Sequence, residues 1–202
     1  MTDLQTLVVD DLPRDPGHGH RPLAWWGTWL FIATEAMLFA GLISSYFYLR
    51  FGAEQWPLGD IEPPELMLAG VGTALLVTSS ATAHWAERSI AAGRVRGLQW
   101  GLAATMALGV GFLGIQAYEY MHSTFTPATN AYGSIFFAVT GFHGLHLLGG
   151  VGMLLAVAVA SWRGEYDRHH HLPVRLSIIY WHFVDAVWLV VFSALYLSEH
   201  LA

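Results

Sequence analysis

The sequence predicts an all-α protein, a polytopic membrane bundle of five transmembrane helices. Three observations carry that expectation. Of 202 residues, 54% are hydrophobic and 12% charged, against roughly 25% charged residues in an ordinary soluble domain, and the mean hydropathy is +0.45. The apolar residues gather in five runs, each long enough to cross a bilayer as a helix rising about 1.5 Å per residue. The 21 glycines and 9 tryptophans suit such a bundle, because small residues let helices approach closely and Trp favours the membrane interface.

Composition also removes whole classes of function. The absence of cysteine excludes disulfides, thiolate metal sites and thiol nucleophiles. The net charge is −6, with 15 acidic residues against 9 basic ones, all of them Arg. No basic face is available for nucleic acid.

Taken in order, residues 1–20 are polar and acidic, with Asp3, Asp10, Asp11, Asp15, Pro13 and Pro16. No basic start precedes an apolar run, so this is read as a flexible acidic tail rather than a signal peptide. His18 and His20 within it are read as solvated rather than metal-binding. Residues 21–202 form one transmembrane domain. The first span covers about 24–48 and holds a single charged residue, Glu35, near its midpoint. Glu54, Trp56, Pro57, Gly59, Pro63 and Pro64 then make a loop. The second span, about 66–83, carries a polar stripe of Thr73, Thr78, Ser79, Ser80 and Thr82, suited to helix packing.

A turn containing Glu87, Arg88, Gly93, Arg94 and Arg96 leads to the third span, about 98–117, which ends in Gln116, Tyr118, Glu119 and Tyr120. The fourth span, about 133–162, includes Gly141-Phe142-His143-Gly144-Leu145-His146. After a polar turn with His169-His170-His171, the fifth span covers about 176–197. Eight of the nine arginines fall on the tail side of this arrangement, and only Arg50 lies opposite. The positive-inside rule therefore puts the N-terminus in the cytoplasm and the C-terminus outside. No inverted repeat or broken mid-membrane helix points to a secondary transporter.

The ionisable residues inside the spans are the candidates for function. A central Asp costs roughly 2.5–3.5 kcal/mol on insertion scales, so such groups need partners. Glu35 is either a proton-handling or lipid-sensing carboxyl or a buried acid bonded between helices. His143 and His146 share a helix face at i and i+3, and His182 and Asp185 repeat the spacing on the last helix. These could bind a metal or haem, since imidazole suits Zn, Cu and Fe. An interhelical polar network accounts for the same residues without a cofactor and is the favoured reading, with His182 and Asp185 expected to meet His143 or His146. Arg163, Arg168 and Arg175, with His171 beside them, are candidates for anionic lipid headgroups, at about 1 kcal/mol per arginine. No phosphate loop, nucleophile elbow or His-Glu-x-x-His pattern is present.

Three segments together carry a resemblance. Gln116-Ala117-Tyr118-Glu119-Tyr120, the run Tyr132-Gly133-Ser134-Ile135-Phe136-Phe137-Ala138-Val139-Thr140-Gly141-Phe142-His143-Gly144-Leu145-His146, and Tyr180-Trp181-His182-Phe183-Val184-Asp185-Ala186-Val187-Trp188 closely resemble subunit III of the haem–copper oxidases. Thr34-Glu35-Ala36-Met37-Leu38-Phe39 is similar to that family's segment with an intramembrane glutamate. The likeness runs in order over about residues 21–200.

It implies a non-catalytic core subunit of a proton-pumping terminal oxidase of the cytochrome c oxidase type, which reduces oxygen to water. Haem and copper would lie in partner subunits, with none in this chain. Subunit I would be the direct partner in a complex that includes subunit II, and structural phospholipid would fill a cleft. Glu35 matches the glutamate near that cleft and would support proton uptake. His143, His146, His182, Asp185 and Glu119 match motif positions read as structural links. Many members have seven spans, and this chain starts where their third does; in some bacterial oxidases an extended subunit I supplies the other two. That length points to a bacterial plasma membrane. The alternatives are the equivalent subunit of a quinol oxidase or nitric oxide reductase-associated complex, and, from another class, an independent proton channel using Glu35, His146 and Asp185.

Overall fold

The computed structural model describes residues 22–59, 61 and 64–201, so the acidic tail lies outside the described residues. Five long helices follow one another: α1 (Leu23–Gly52), α2 (Leu66–Ala91), α3 (Val95–His122), α4 (Ala131–Trp162) and α5 (Leu172–Val191). The fifth continues through a π-helical stretch, Phe192–Leu197, into a last turn, α6 (Ser198–Leu201). All five are long and apolar enough to cross a membrane, and no strand occurs among the described residues. Each helix outruns or equals its apolar run. α2 continues past Ala83 through His84, Glu87 and Arg88, because polar residues at a span's end reach water while the backbone ladder carries on.

Helices α2, α3, α4 and α5 close a ring, in which α2 packs on α3, α3 on α4, α4 on α5 and α5 back on α2. The fifth member, α1, leans on the outside of this ring against α4 and α5. Burial follows that order: the α5 span is the most enclosed and α1 the least. The core is largely aromatic, with Trp181, Trp188, Tyr132, Tyr196, Phe112 and Phe136 all buried. The large apolar side chains left exposed, such as Leu30, Met37, Trp100 and Leu145, suit a surface solvated by lipid tails rather than water.

Small residues set the closest approaches. A Cβ on Gly101 would stand 2.6 Å from Ala86 Cβ, and one on Gly97 would stand 2.7 Å from Ser89, which brings α2 and α3 nearly into backbone contact. A Cβ on Gly109 would meet the Trp181 ring at 2.5 Å, and one on Gly150 would meet it at 3.0 Å. The indole of α5 is thus held between α3 and α4. Helices α2 and α4 end alike. Gly93 (φ +76°) and Gly164 (φ +80°) supply the left-handed residue of a Schellman motif, with Gly93 N–H bonded to Ile90 O and Arg94 N–H to Ser89 O, and the same pattern from Gly164 and Glu165 to Ser161 and Ala160. Asn130 caps α4 by accepting from Gly133 N–H, and its amide donates to Leu58 O at 2.9 Å.

Each end of the bundle is tied across helices. At the arginine-rich end Arg175 bonds Glu87 at 3.4 Å, and its guanidinium lies 5.1 Å from the Trp25 ring, joining α5, α2 and α1. At the opposite end Glu199 accepts hydrogen bonds from Tyr46 at 2.8 Å, Tyr132 at 2.9 Å and Trp56 at 3.3 Å. Arg50 bonds the Ser198 hydroxyl and carbonyl beside it.

Candidate functional site

Glu35 is placed by α1 and His146 by α4, and the two meet at 2.8 Å between Oε2 and Nε2. The other ring nitrogen, Nδ1, lies 2.6 Å from the Phe142 carbonyl. A carbonyl can only accept, so Nδ1 carries a proton. Nε2 then either accepts from a protonated Glu35 or, as imidazolium, donates to its carboxylate. In both states one proton is held on the line between Nε2 and Oε2. The pair is not sealed in the core: the side chains keep 20% and 14% of their surface, Glu35 and His146 respectively. Phe39 packs edge-on against the imidazole at 5.0 Å, and Tyr180 of α5 donates to the His146 carbonyl at 3.2 Å. Exposed Phe31, Leu38, Phe142 and Leu145 lie within one turn of the pair along α1 and α4. This is an ion-pair-capable site open at the apolar flank of the bundle.

The expectation that His182 and Asp185 meet His143 or His146 is corrected. Both turn to α2 instead: the Ser80 hydroxyl donates to Asp185 Oδ2, and His182 Nδ1 lies 3.0 Å from the Ser80 hydroxyl oxygen. The ring closure of α2 on α5 is the physical reason, because it brings the hydroxyl stripe of α2 under the last helix. Trp181 Nε1 donates to Ser79 and Trp188 Nε1 to Thr73, each at 2.9 Å, so four side chains of that α5 face bond the stripe, while Asp185 Oδ1 has no partner among the described residues. His143 is also corrected. It is fully buried, and neither ring nitrogen has a hydrogen-bond partner among the described residues; rings of Trp188, Phe112 and Phe39 surround it at 4.9, 5.7 and 6.4 Å. Glu119 does link segments, accepting from Tyr196 at 3.0 Å.

The structure therefore divides the expected network into three separate sites: Glu35 with His146, Ser80 with His182 and Asp185, and Glu119 with Tyr196. Among the described residues no three His, Asp or Glu side chains converge to hold a metal ion.

In the α4–α5 loop Arg163 and Arg168 are exposed, while Arg175 is engaged by Glu87 and Trp25. Sequence reading missed the organiser of the histidine triplet. Asp167 Oδ1 accepts from the backbone N–H groups of His169 and His170, both at 2.7 Å, and these bonds hold its carboxyl below the usual range. His171 Nδ1 lies 3.2 Å from the Asp167 carbonyl. The Glu199 cluster was missed too, although Arg50, alone on its side, was a signal that an acid should come near it.

The sequence model of the family cytochrome c oxidase subunit III matches residues 21–199. Among curated relatives, cytochrome c oxidase subunit 3 of Thermostichus vulcanus is 37% identical over 184 residues, 91% of each chain. That of Synechocystis sp. is 39% identical over 181 residues, 89% of this chain and 78% of the relative. The Drosophila melanogaster protein of the same name is 35% identical over 177 residues, 85% of this chain and 68% of the relative.

Proposed function

Since the chain belongs to the cytochrome c oxidase subunit III family, we propose that it is a non-catalytic subunit that packs directly on the oxygen-reducing subunit I, holds structural phospholipid, and supports proton uptake through Glu35. As subunit III of a haem–copper oxidase it is a multi-pass membrane protein of a respiratory complex. The observation that carries the finer reading is the Glu35–His146 pair. It stores one exchangeable proton at the lipid-facing side of α1 and α4, where two partly exposed ionisable groups would otherwise be costly in hydrocarbon.

Such a pair can do two things that fit an accessory subunit. It offers a charged or strongly dipolar contact to a phospholipid headgroup or a polar group of a neighbouring subunit, and it passes a proton without a change in side-chain position. The haem and copper of the oxidase belong on this reading to subunits I and II. The arginine-rich end faces the cytoplasm of a bacterium, by the positive-inside rule, with exposed Arg163 and Arg168 at the headgroup level.

Purification of the intact complex tests the assignment. It should yield haem and copper together with this chain and tightly bound phospholipid, and the separated chain should carry neither metal nor haem. Stoichiometric haem on the separated chain overturns the non-catalytic reading. Proton flux through the chain alone in liposomes would favour an independent channel instead.

A further inference from the structure

The end of the bundle that carries the α1–α2 and α3–α4 loops opens into a cavity of about 240 Å³, with Glu65, Tyr118, Glu119, His122, Ser123 and Thr124 on its walls. A second cavity of only about 10 Å³ is walled by Gly72, Phe112, Ile115, Gln116, Trp188 and, again, Glu119. Glu119 is common to both. Its Oε2 accepts from Tyr196, but Oε1 has no partner among the described residues, and neither has the oxygen or the nitrogen of the Gln116 amide. Gln116 is 6% exposed, so bulk water does not reach its amide across the surface.

Buried polar groups in folded proteins are paired, and those lacking a protein partner are met by ordered water. The small cavity has the volume of about one water molecule, and such a water needs two to four polar partners. Glu119 Oε1 and Gln116 Oε1 accept and Gln116 Nε2 donates, which matches the two hydrogens and a lone pair of a single water. A metal ion does not fit, because no three His, Asp or Glu side chains converge among the described residues. An apolar ligand would leave all three atoms unpaired.

We propose that the two cavities form a hydrated inlet: one water bridges the Gln116 amide to Glu119 Oε1, and water in the outer cavity connects Glu119 to the aqueous phase at that end. Glu119 thereby becomes an internal proton-exchange site on the side of the membrane opposite the arginine-rich end. The titratable groups facing it are Glu65, Tyr118 and His122 around the outer cavity, Tyr196 from the π-helical stretch, Tyr132 of α4, and Tyr120 of α3, which also lies beside the Gln116 side chain. The inlet is independent of the role assigned to Glu35, which lies on α1 against α4.

Radiolytic footprinting of the intact oxidase complex tests this, because an X-ray pulse makes hydroxyl radicals from water in place. Trp188 lines the small cavity, whereas Trp181, equally buried on the same helix, is closed off by Ser79 and two glycines. Oxidation of Trp188 should exceed that of Trp181 severalfold, and Gln116→Leu, which fills the cavity with methyl groups, should bring the two to the same level. Equal oxidation of the two indoles in the unmodified complex overturns the inlet. So does a density map of the complex in which a partner subunit's group, and not water, bonds the Gln116 amide. Because the comparison within the unmodified complex decides by itself, a failure of Gln116→Leu to assemble leaves the test intact.

Discussion

Gly109→Ala is the substitution that presses hardest on the middle of the bundle. The new methyl would stand 2.5 Å from Trp181 Cη2 and 2.9 Å from Cζ2, where carbon atoms rest at about 3.5–4.0 Å. The indole must therefore retreat by about 1 Å, yet it is fully buried, and Gly150 of α4 lies against its other edge at 3.0 Å from a would-be Cβ. Overpacking of this kind costs about 1–3 kcal/mol. The same movement strains the 2.9 Å bond from Trp181 Nε1 to Ser79, worth about 0.5–1.5 kcal/mol. In a domain of this size each kcal/mol lowers the melting midpoint by about 2–4 °C, so a fall of roughly 5–10 °C is expected. The assay is retention of this subunit in the purified complex across a temperature series. Gly114→Ala on the same helix, whose methyl meets nothing within 4 Å, is the control. Equal midpoints for the two variants would refute the wedged indole as the centre of the packing.

Other outcomes follow from single contacts. Glu199→Leu strands the donors of Tyr46 and Tyr132 and leaves Trp56 only its other acceptor, the Tyr46 hydroxyl at 3.2 Å, so it should lower stability by about 2–4 kcal/mol, at roughly 1 kcal/mol or more per unpaired buried group, whereas Glu199→Gln keeps an acceptor oxygen and should lose less; thermal unfolding of the complex separates them. Glu35→Leu should destabilise the α1–α4 contact by about 1–3 kcal/mol, while Glu35→Gln, whose amide can donate to His146 Nε2, should stay close to the unmodified protein in the same assay. For Asp167 the carboxyl is held below its usual range by the His169 and His170 amides, so its contribution is present above the ordinary carboxylate range and is lost as pH falls through the lowered value. Amide protection at His169 and His170 should collapse in acid, and Asp167→Ala should show the collapsed level at neutral pH.

The five helices were legible because their apolar runs are long and almost free of charge, and in hydrocarbon a helix is the structure that satisfies the backbone within a single segment. The α2 stripe of Thr73, Ser79 and Ser80 was legible as a packing face as well. Its partner was not, since helical periodicity puts His182 and Asp185 on one face without saying which neighbour that face meets. The ring order decided it, turning α5 toward α2, and left His143 among aromatic rings with no polar contact. The Glu35–His146 pair joins residues 111 positions apart, so only the lean of α1 on α4 could reveal it. The Glu199 cluster depended on the π-helical stretch Phe192–Leu197, where the wider turn shifts the register of whatever follows. A pattern read at 3.6 residues per turn does not carry across that point.

The central claim is that this chain serves the oxidase through the proton held between Glu35 and His146, without taking part in oxygen chemistry. It is tested most directly by the lifetime and proton uptake of the complex carrying Glu35→Gln, which keeps the shape and the hydrogen bond but removes the acid. The haem spectrum and initial oxygen consumption should be unchanged, with faster inactivation during turnover or slower proton uptake. Unchanged lifetime and pumping would contradict it and reduce Glu35 to a packing residue.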